Sequence, residues 1–509
     1  MRAQAIADPY QAGLKLSRDG RHAQAIACFE AALAARPDDP RVLFALGNTA
    51  RALAMPAPAE EFFRRVLTLE PDRIEVLVNL SNLFLEKGNP AAALDLLGPA
   101  LARAPKAPEL WLALGLAYRA MDDTTQAERH WREALALSPD YPAALGNLAD
   151  LVADRGQLDE ALALYERVIR RDGKNAQARL NRAILYFLKG QLKDGWRDYA
   201  ARLKVPGKAP KCEHRVAAWS GGPLKKQRLL VTAEQGVGDQ IMFASMIGDL
   251  AVRAGETGGT VILECEPRLQ PLFARSFPGV RVMPSDMESR GGIVSARYDW
   301  LKGVGGANAA IEMGSVARWL RSELSAFPAP HAYLVPDVDE KSRWTAWLAT
   351  QEKGPFFGVC WRSGKSAGAR ALQYAPLADW ARFLNALPGQ IVSAQYDASA
   401  DEIAELEKLS GRRILVPPGL DQKLELDRTS AMLRALDAVV SAPTAVSWLA
   451  AGTGVPTYKV LYDTSWTAFG QNCEPFAPAC RCMMPDCPGN WAEVFARTLA
   501  ALSPPPSAA

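Results

Sequence analysis

Histidine is nearly missing from this chain: 4 residues in 509. That is too few for the imidazole-rich ligand sets on which many metalloenzymes depend. Cysteine is scarce as well, at 8 residues, which excludes a disulfide scaffold and fits a reducing compartment. No charge of either sign dominates, with 59 Lys+Arg against 56 Asp+Glu and a formal net charge of +3. A protein that lives by neutralising a nucleic-acid backbone carries far more positive charge. Residues Met1 to Pro9 lack the apolar stretch of a signal peptide,. The uncharged run from Ala438 to Tyr458 reaches membrane length but is broken by Pro443, Gly452, Gly454 and Pro456. It therefore reads as strand, turn, helix and strand. These absences give the expectation of a cytoplasmic protein with no nucleic-acid partner and no membrane span. Apolar residues are plentiful, at 49%, and the length suits about three domains.

A 34-residue period fills the first two-fifths. It carries Pro37, Pro71, Pro105, Pro139 and then Gly173, and in a second register Gly20, Ala54, Gly88, Asp122, Gly156 and Gly190. A third register holds Ala25, Ala59, Ala93, Ala127, Ala161 and Gly195; a fourth holds Phe29, Phe63, Leu97, Trp131, Tyr165 and Tyr199. A small residue admits a close helix, a ring fills the core beside it, and the proline and glycine phases end helices and reverse the chain. The spacing resembles tetratricopeptide (TPR) repeats, six of them over residues 3–206, and implies a helical solenoid. Asn79, Asn147 and Asn181 share one phase of the first helix of each repeat, interrupted by Ala45 and Ala113. They read either as amides holding an acceptor peptide in the groove or as tolerated polar residues on an exposed face.

Residues 207–223, rich in Pro, Gly and Lys, read as a linker. Beyond it, short β-branched runs alternate with helical ones. Strands are expected at 228–233, 260–266, 280–284, 356–361, 390–395, 413–416, 437–441 and 457–461, with helices at 240–254 and 342–351. Two such series predict two parallel-sheet α/β domains, 224–340 and 350–503, with ligands at the carboxyl ends of the strands.

Three strand-to-helix turns could carry chemistry. Glu234-Gln235-Gly236-Val237-Gly238-Asp239 follows the first strand, where two glycines allow a tight turn and close approach to a ligand,. It is either a plain β–α turn or a ligand loop, with Asp239 as a cap or as a general base. Arg362-Ser363-Gly364-Lys365 offers two cations to an anion, or is a solvated charged loop. Ser441-Ala442-Pro443-Thr444-Ala445-Val446 would open a helix with free amides for phosphate.

These turns, and the run from Asp437 through Val439-Val440-Ser441, Thr444-Ala445-Val446, Leu449-Ala450 and Gly454 to Pro456, resemble GT-B glycosyltransferases of the heptosyltransferase-like kind fused behind TPR arrays. Protein O-GlcNAc transferases share the plan. Ser441 to Trp448, Leu461 to Trp466 and Phe476 to Cys480 resemble most the flagellin-modifying members. The resemblance implies a TPR solenoid followed by two Rossmann-like domains, and inverting, metal-independent transfer from a nucleotide-sugar to a protein hydroxyl. It implies Asp239 as base with Glu234 in reserve, and a donor site at Gly236, Gly238, Arg362, Lys365, Gln395, Thr444, Ala445 and Val446. The implied acceptor is flagellin. The implied donor is a CMP-linked nonulosonic acid such as pseudaminic or legionaminic acid, its carboxylate met by Lys459 or Arg370, with no other cofactor. Two positions depart from the wider family: Pro443 replaces a common Asp, and Trp448 a common His. A non-catalytic TPR scaffold or chaperone, and a transferase acting on a lipid or glycan, are the competing readings.

Cys473, Cys480, Cys482 and Cys487 crowd near the end of the chain with spacing C-x6-C-x-C-x4-C. Structural zinc sites favour paired C-x2-4-C spacing, so reduced, partly buried thiols are expected ahead of zinc.

Overall fold

The protein is described by a computed structural model covering residues 8–207, 209–234, 236–290, 293–364 and 368–502. The chain divides into two compact units, Met1–Ala178 and Arg179–Ala509.

The first unit is built of helix pairs: α1 (Pro9–Arg18) with α2 (His22–Ala35), α3 (Pro40–Ala52) with α4 (Pro56–Leu69), and α5 (Ile74–Glu86) with α6 (Pro90–Arg103). They continue as α7 (Pro108–Ala120) with α8 (Thr124–Leu137), and α9 (Pro142–Asp154) with α10 (Leu158–Arg171). The periodic turn residues are left-handed, from Ala54 at φ +55° to Gly156 at +74°, so glycine at most of these turns avoids a Cβ penalty. The periodic alanines of these five repeats are fully buried. The ring register has a partner that its own spacing did not reveal. A Cβ on Gly47 would stand 2.6 Å from the Phe63 ring, and Gly13 and Gly115 meet Phe29 and Trp131 in the same way. Large ring and missing side chain are complementary halves of one packing device.

In the second unit, α11 (Ala176–Leu188) and α12 (Leu192–Tyr199) complete a sixth pair. It belongs with the unit that follows because its rings are used there. Phe187 stacks on Trp466 at 5.3 Å, and Trp196 meets Phe469 at 5.8 Å and Phe476 at 6.2 Å.

The expected linker is not loose chain. It contributes β1 (Lys211–Cys212) and β2 (Ala217–Ala218), each paired in parallel within a sheet. The first lobe continues with β3 (Arg228–Thr232), α13 (Val237–Ala244), α14 (Ile247–Gly255), β4 (Thr260–Cys265), α15 (Gln270–Ser276) and β5 (Arg281–Pro284). It closes with β6 (Asp286–Arg290), β7 (Ile293–Arg297), β8 (Ala309–Glu312) and α16 (Ala317–Leu320). Its main sheet is parallel, in the order β2-β8-β3-β4-β5, and a small sheet β1-β7-β6 stands beside it. The helix expected over 240–254 breaks at Ser245, whose hydroxyl bonds back to the Met242 carbonyl at 2.8 Å,. β8 was not foreseen, because Ala309-Ala310-Ile311-Glu312 lacks a β-branched run.

After α17 (Val338–Ala349) comes the second lobe: β9 (Phe356–Cys360), α18 (Leu377–Ala386), β10 (Gln390–Ser393), α19 (Ala400–Ser410) and β11 (Ile414–Leu415). Next are α20 (Leu426–Arg434), β12 (Ala438–Ser441), α21 (Ala445–Gly452), β13 (Thr457–Val460), β14 (Cys480–Met483) and α22 (Trp491–Leu502). All pairings are parallel, in the order β11-β10-β9-β12-β13-β14. Counted from β9, this is the 3-2-1-4-5-6 order of doubly wound sheets that bind dinucleotides. The order reverses between β9 and β12 here, and between β3 and β8 in the first lobe. Those two points are where such sheets open a crevice. Among the described residues no helix is long and apolar enough to cross a membrane.

Candidate functional site

The turn after β3 and the turn after β12 are brought together. Helix α13 starts at Val237 with Gly236 as its cap, and α21 starts at Ala445 with Thr444 as its cap. A Cβ on Gly238 would lie 3.4 Å from the Ala445 Cα and 3.6 Å from the Trp448 ring. The glycines are therefore not there for a left-handed turn: Gly236 has φ −83°. Gly238 is there for close approach across the crevice.

Asp239 follows Gly238 as the third residue of α13. Its Oδ2 accepts the Gly236 N–H at 3.0 Å, closing the helix start on itself. Burial pushes its carboxyl above the usual carboxylate range, opposed by the Gly236 hydrogen bond and helped by the Glu234 charge. A raised carboxyl is a stronger proton acceptor than an ordinary one.

Glu234, the other acid of the turn, is committed elsewhere. It is buried and paired with Arg202, whose Nε donates to its Oε2 at 2.9 Å, and its Oε1 accepts the Gly314 N–H at 2.7 Å. Arg202 also donates to Ser315 Oγ at 2.9 Å. This network ties the end of the sixth repeat to the tips of β3 and β8. Glu234 positions the loop; it has little capacity left to serve as a base.

In the second lobe the basic turn differs from the sequence expectation. Arg362 Nε and Nη2 donate to Glu402 at 2.7 and 2.5 Å, and its Nη1 to Asp397 at 3.0 Å. Two carboxylates occupy the guanidinium fork, so it shapes the turn and is not a waiting anion site. Lys365 lies outside the described residues, as does the side chain of Arg370. Gln395 is a staple: its Oε1 accepts the Trp361 and Arg362 N–H groups, both at 3.0 Å, and its Nε2 donates to the Arg362 carbonyl at 2.9 Å and to Asp397 at 2.8 Å. Its hydrogen-bonding capacity is spent on protein. Lys459 is buried, donating to Glu474 Oε1 at 2.6 Å with its ammonium 3.8 Å from the centre of the Trp448 ring. It is thereby withdrawn from any ligand carboxylate, and Trp448 supplies the wall between it and Gly238.

The helix start at Thr444 keeps its promise only in part. Thr444 Oγ1 already accepts the Val446 N–H at 3.2 Å, leaving the dipole end and the neighbouring Ala445 backbone for an anion. Cys360 Sγ sits 3.5 Å from both Thr444 Oγ1 and Gln395 Oε1, joining this helix start to the wall of a cavity. The cavity, about 570 Å³, opens at the carboxyl ends of β10 and β11, and Ser393, Gln395, Tyr396, Leu420 and Gln422 are among its lining residues. It has room for a nucleoside beside an anion site. Tyr396 and Gln422 carry no motif, and only the turns of β10 and β11 bring them to the cavity. No local signal in the sequence could have singled them out.

Asn79 donates to Asn48 Oδ1 at 2.9 Å, pairing along adjacent first helices. Asn147 is half-buried on α9, and Asn181 lies on α11 in the second unit. Cys480 and Cys482 are consecutive inward positions of β14, with Cys487 exposed beyond it. Burial pushes the Cys480 thiol up to about 12. The Cys482 thiol, also raised by burial, lies 3.5 Å from Glu474 Oε1. Among the described residues no three His, Cys, Asp or Glu side chains are grouped to hold a metal.

Tetratricopeptide-repeat family models match residues 16–80, 55–117, 112–176 and 147–210. The human protein O-mannosyl-transferase TMTC1 is 27% identical over 154 residues, which are 30% of this chain and 18% of that protein. A thermophilic TPR protein from Thermus thermophilus, solved by crystallography, is 30% identical, covering 36% of this chain and 98% of its own, with a TM-score of 0.32. Protein FlbA of Caulobacter vibrioides is 32% identical over 490 residues, 95% of this chain and 82% of its own length. Likeness of that extent makes this tetratricopeptide-repeat chain a member of the FlbA family.

Proposed function

We propose that the two lobes form a GT-B glycosyltransferase that moves a sugar from a nucleotide donor to a protein hydroxyl delivered by the TPR array. The observation that carries the reading is the meeting of Gly238 and Ala445, which brings the helix start holding the half-buried Asp239 to the start of α21 at the reversal points of two parallel sheets. The donor nucleotide occupies the cavity beyond Gln395, with its phosphate at the start of α21. The acceptor oxygen attacks the anomeric carbon, the carbon–phosphate-oxygen bond breaks, and the acceptor proton passes to Asp239. The helix start carries the departing negative charge, the task a metal ion performs in other transferases. Inversion at the anomeric carbon follows from a single displacement.

Within this reading the acceptor is a Ser or Thr of flagellin and the donor a CMP-nonulosonic acid. With Lys459 paired to Glu474, Arg370 is the remaining candidate cation for the sugar carboxylate. The test is intact-mass spectrometry of flagellin incubated with the full chain and donor. A mass gain of one sugar on Ser or Thr, undiminished by a chelator, is expected. A mass gain absent from flagellin but present on a lipid or glycan acceptor would replace the protein-acceptor reading.

A further inference from the structure

Gln422 has an amide that the protein satisfies on one side only. Its Nε2 donates to the Ser393 carbonyl at 2.9 Å, whereas its Oε1 is buried and has no hydrogen-bond partner. The orientation is forced: turning the amide would set oxygen against the Ser393 carbonyl and strand both N–H groups. Gln422 is 8% exposed and is among the residues lining the cavity at the ends of β10 and β11. A buried acceptor left unmet is costly, and a ligand N–H that reaches it recovers that cost.

The surroundings say what kind of N–H. Asp421 and Glu425 flank Gln422 on the same wall. Their carboxylates are engaged as acceptors, Asp421 Oδ1 of the Lys423 and Leu424 N–H groups and Glu425 Oε2 of the Asp421 N–H, while Glu425 Oε1 is paired with Arg428 at 2.7 Å. With the Glu425 charge met by Arg428, it is the unmet Gln422 oxygen among acceptor groups that disfavours a ring carbonyl and welcomes an amino group. Tyr396 and Leu420 give the cavity flat apolar surface on which a base can lie,.

We propose that Gln422 selects the base of the donor, favouring one that carries an exocyclic amino group over its oxo counterpart. The proposal rests on the reading of this cavity as the nucleotide site. Cytosine and adenine share the required chemistry, and cavity volume does not separate them. Discrimination arises because an oxo base leaves Gln422 Oε1 unpaired and faces it with a second acceptor.

Two matched pairs test this by calorimetry on the full chain: CMP against UMP, and AMP against IMP. Within whichever pair binds, the amino member should bind about tenfold tighter or more. Gln422→Met, close in length and without the acceptor, should bring the two members within about threefold. Equal or reversed affinities in the unaltered chain overturn the proposal and leave the nucleotide site standing, as does discrimination that survives in Gln422→Met. Failure of all four nucleotides to bind removes the nucleotide site itself. The comparison in the unaltered chain needs no variant to fold.

Discussion

Gly238 and Ala445 stand so close across the crevice that a Cβ on the glycine would lie 3.4 Å from the alanine Cα. The contact ties the start of α13 to the start of α21, and Asp239 and Thr444 are the residues either side of it. A β-branched side chain at 238 must push the two helices apart. Gly238→Val should therefore cut sugar transfer at least tenfold while thermal unfolding of the TPR helices, followed by circular dichroism, stays unchanged.

The ring-on-glycine packing of the repeats makes a stability prediction. Gly47→Ala sets a Cβ 2.6 Å from the fully buried Phe63 ring. Overpacking should cost about 1–3 kcal/mol, offset by about 1 kcal/mol of better helix propensity. A net loss is expected in urea unfolding. Adding Phe63→Leu should return most of it, since the third repeat holds Ser81 and Leu97 at the corresponding places.

Arg202 and Glu234 are both buried and joined. Arg202→Met leaves the carboxylate unpaired and should cost about 3–5 kcal/mol. Pairing it with Glu234→Gln should recover much of that loss, because no buried charge remains. Denaturant titration of the four proteins forms a complete cycle.

Glu264 gives a pH dependence. Its Oε2 accepts the Ala233 N–H at 2.9 Å and the Tyr298 hydroxyl at 3.0 Å, and burial pushes its carboxyl up to about 7. The folded chain thus holds this proton more tightly than the unfolded chain. Its contribution to stability is fully present below pH 4.5 and is lost as pH rises to about 7,. Glu264→Gln should match the unaltered chain at pH 4.5 and exceed it by about 1–3 kcal/mol at pH 8. Equal stability at both pH values would contradict the assignment.

The cysteines should divide by burial. At pH 8 the exposed Cys487 should react with maleimide at once, whereas Cys480, held at about 12 inside the fold, should react only on unfolding,. A chelator should leave the unfolding temperature unchanged.

What the sequence disclosed was periodic or local. The 34-residue registers marked every turn from Gly20 to Gly190, and β-branched runs marked most strands of the two larger sheets. What it hid was decided by partners far along the chain. Arg362 looked like a cation awaiting phosphate because Asp397 and Glu402, 35 and 40 residues away, were not visible as its partners. Glu234 looked like a spare base until Arg202, 32 residues earlier, took it. Cys480 and Cys482 crowd together because alternation along β14 turns both inward, which the C-x-C spacing alone could not distinguish from a ligand pair. Gln422 gave no signal at all, since only the fold brings its amide to a cavity.

The central claim, that this crevice performs sugar transfer with Asp239 as base, is tested most directly by Asp239→Asn. Transfer to flagellin is followed by mass spectrometry and nucleotide affinity by calorimetry, on the same preparation. Transfer should fall by about 10²–10⁴, the usual worth of a general base, with nucleotide affinity within threefold of the unaltered chain. Undiminished transfer in Asp239→Asn would contradict the account.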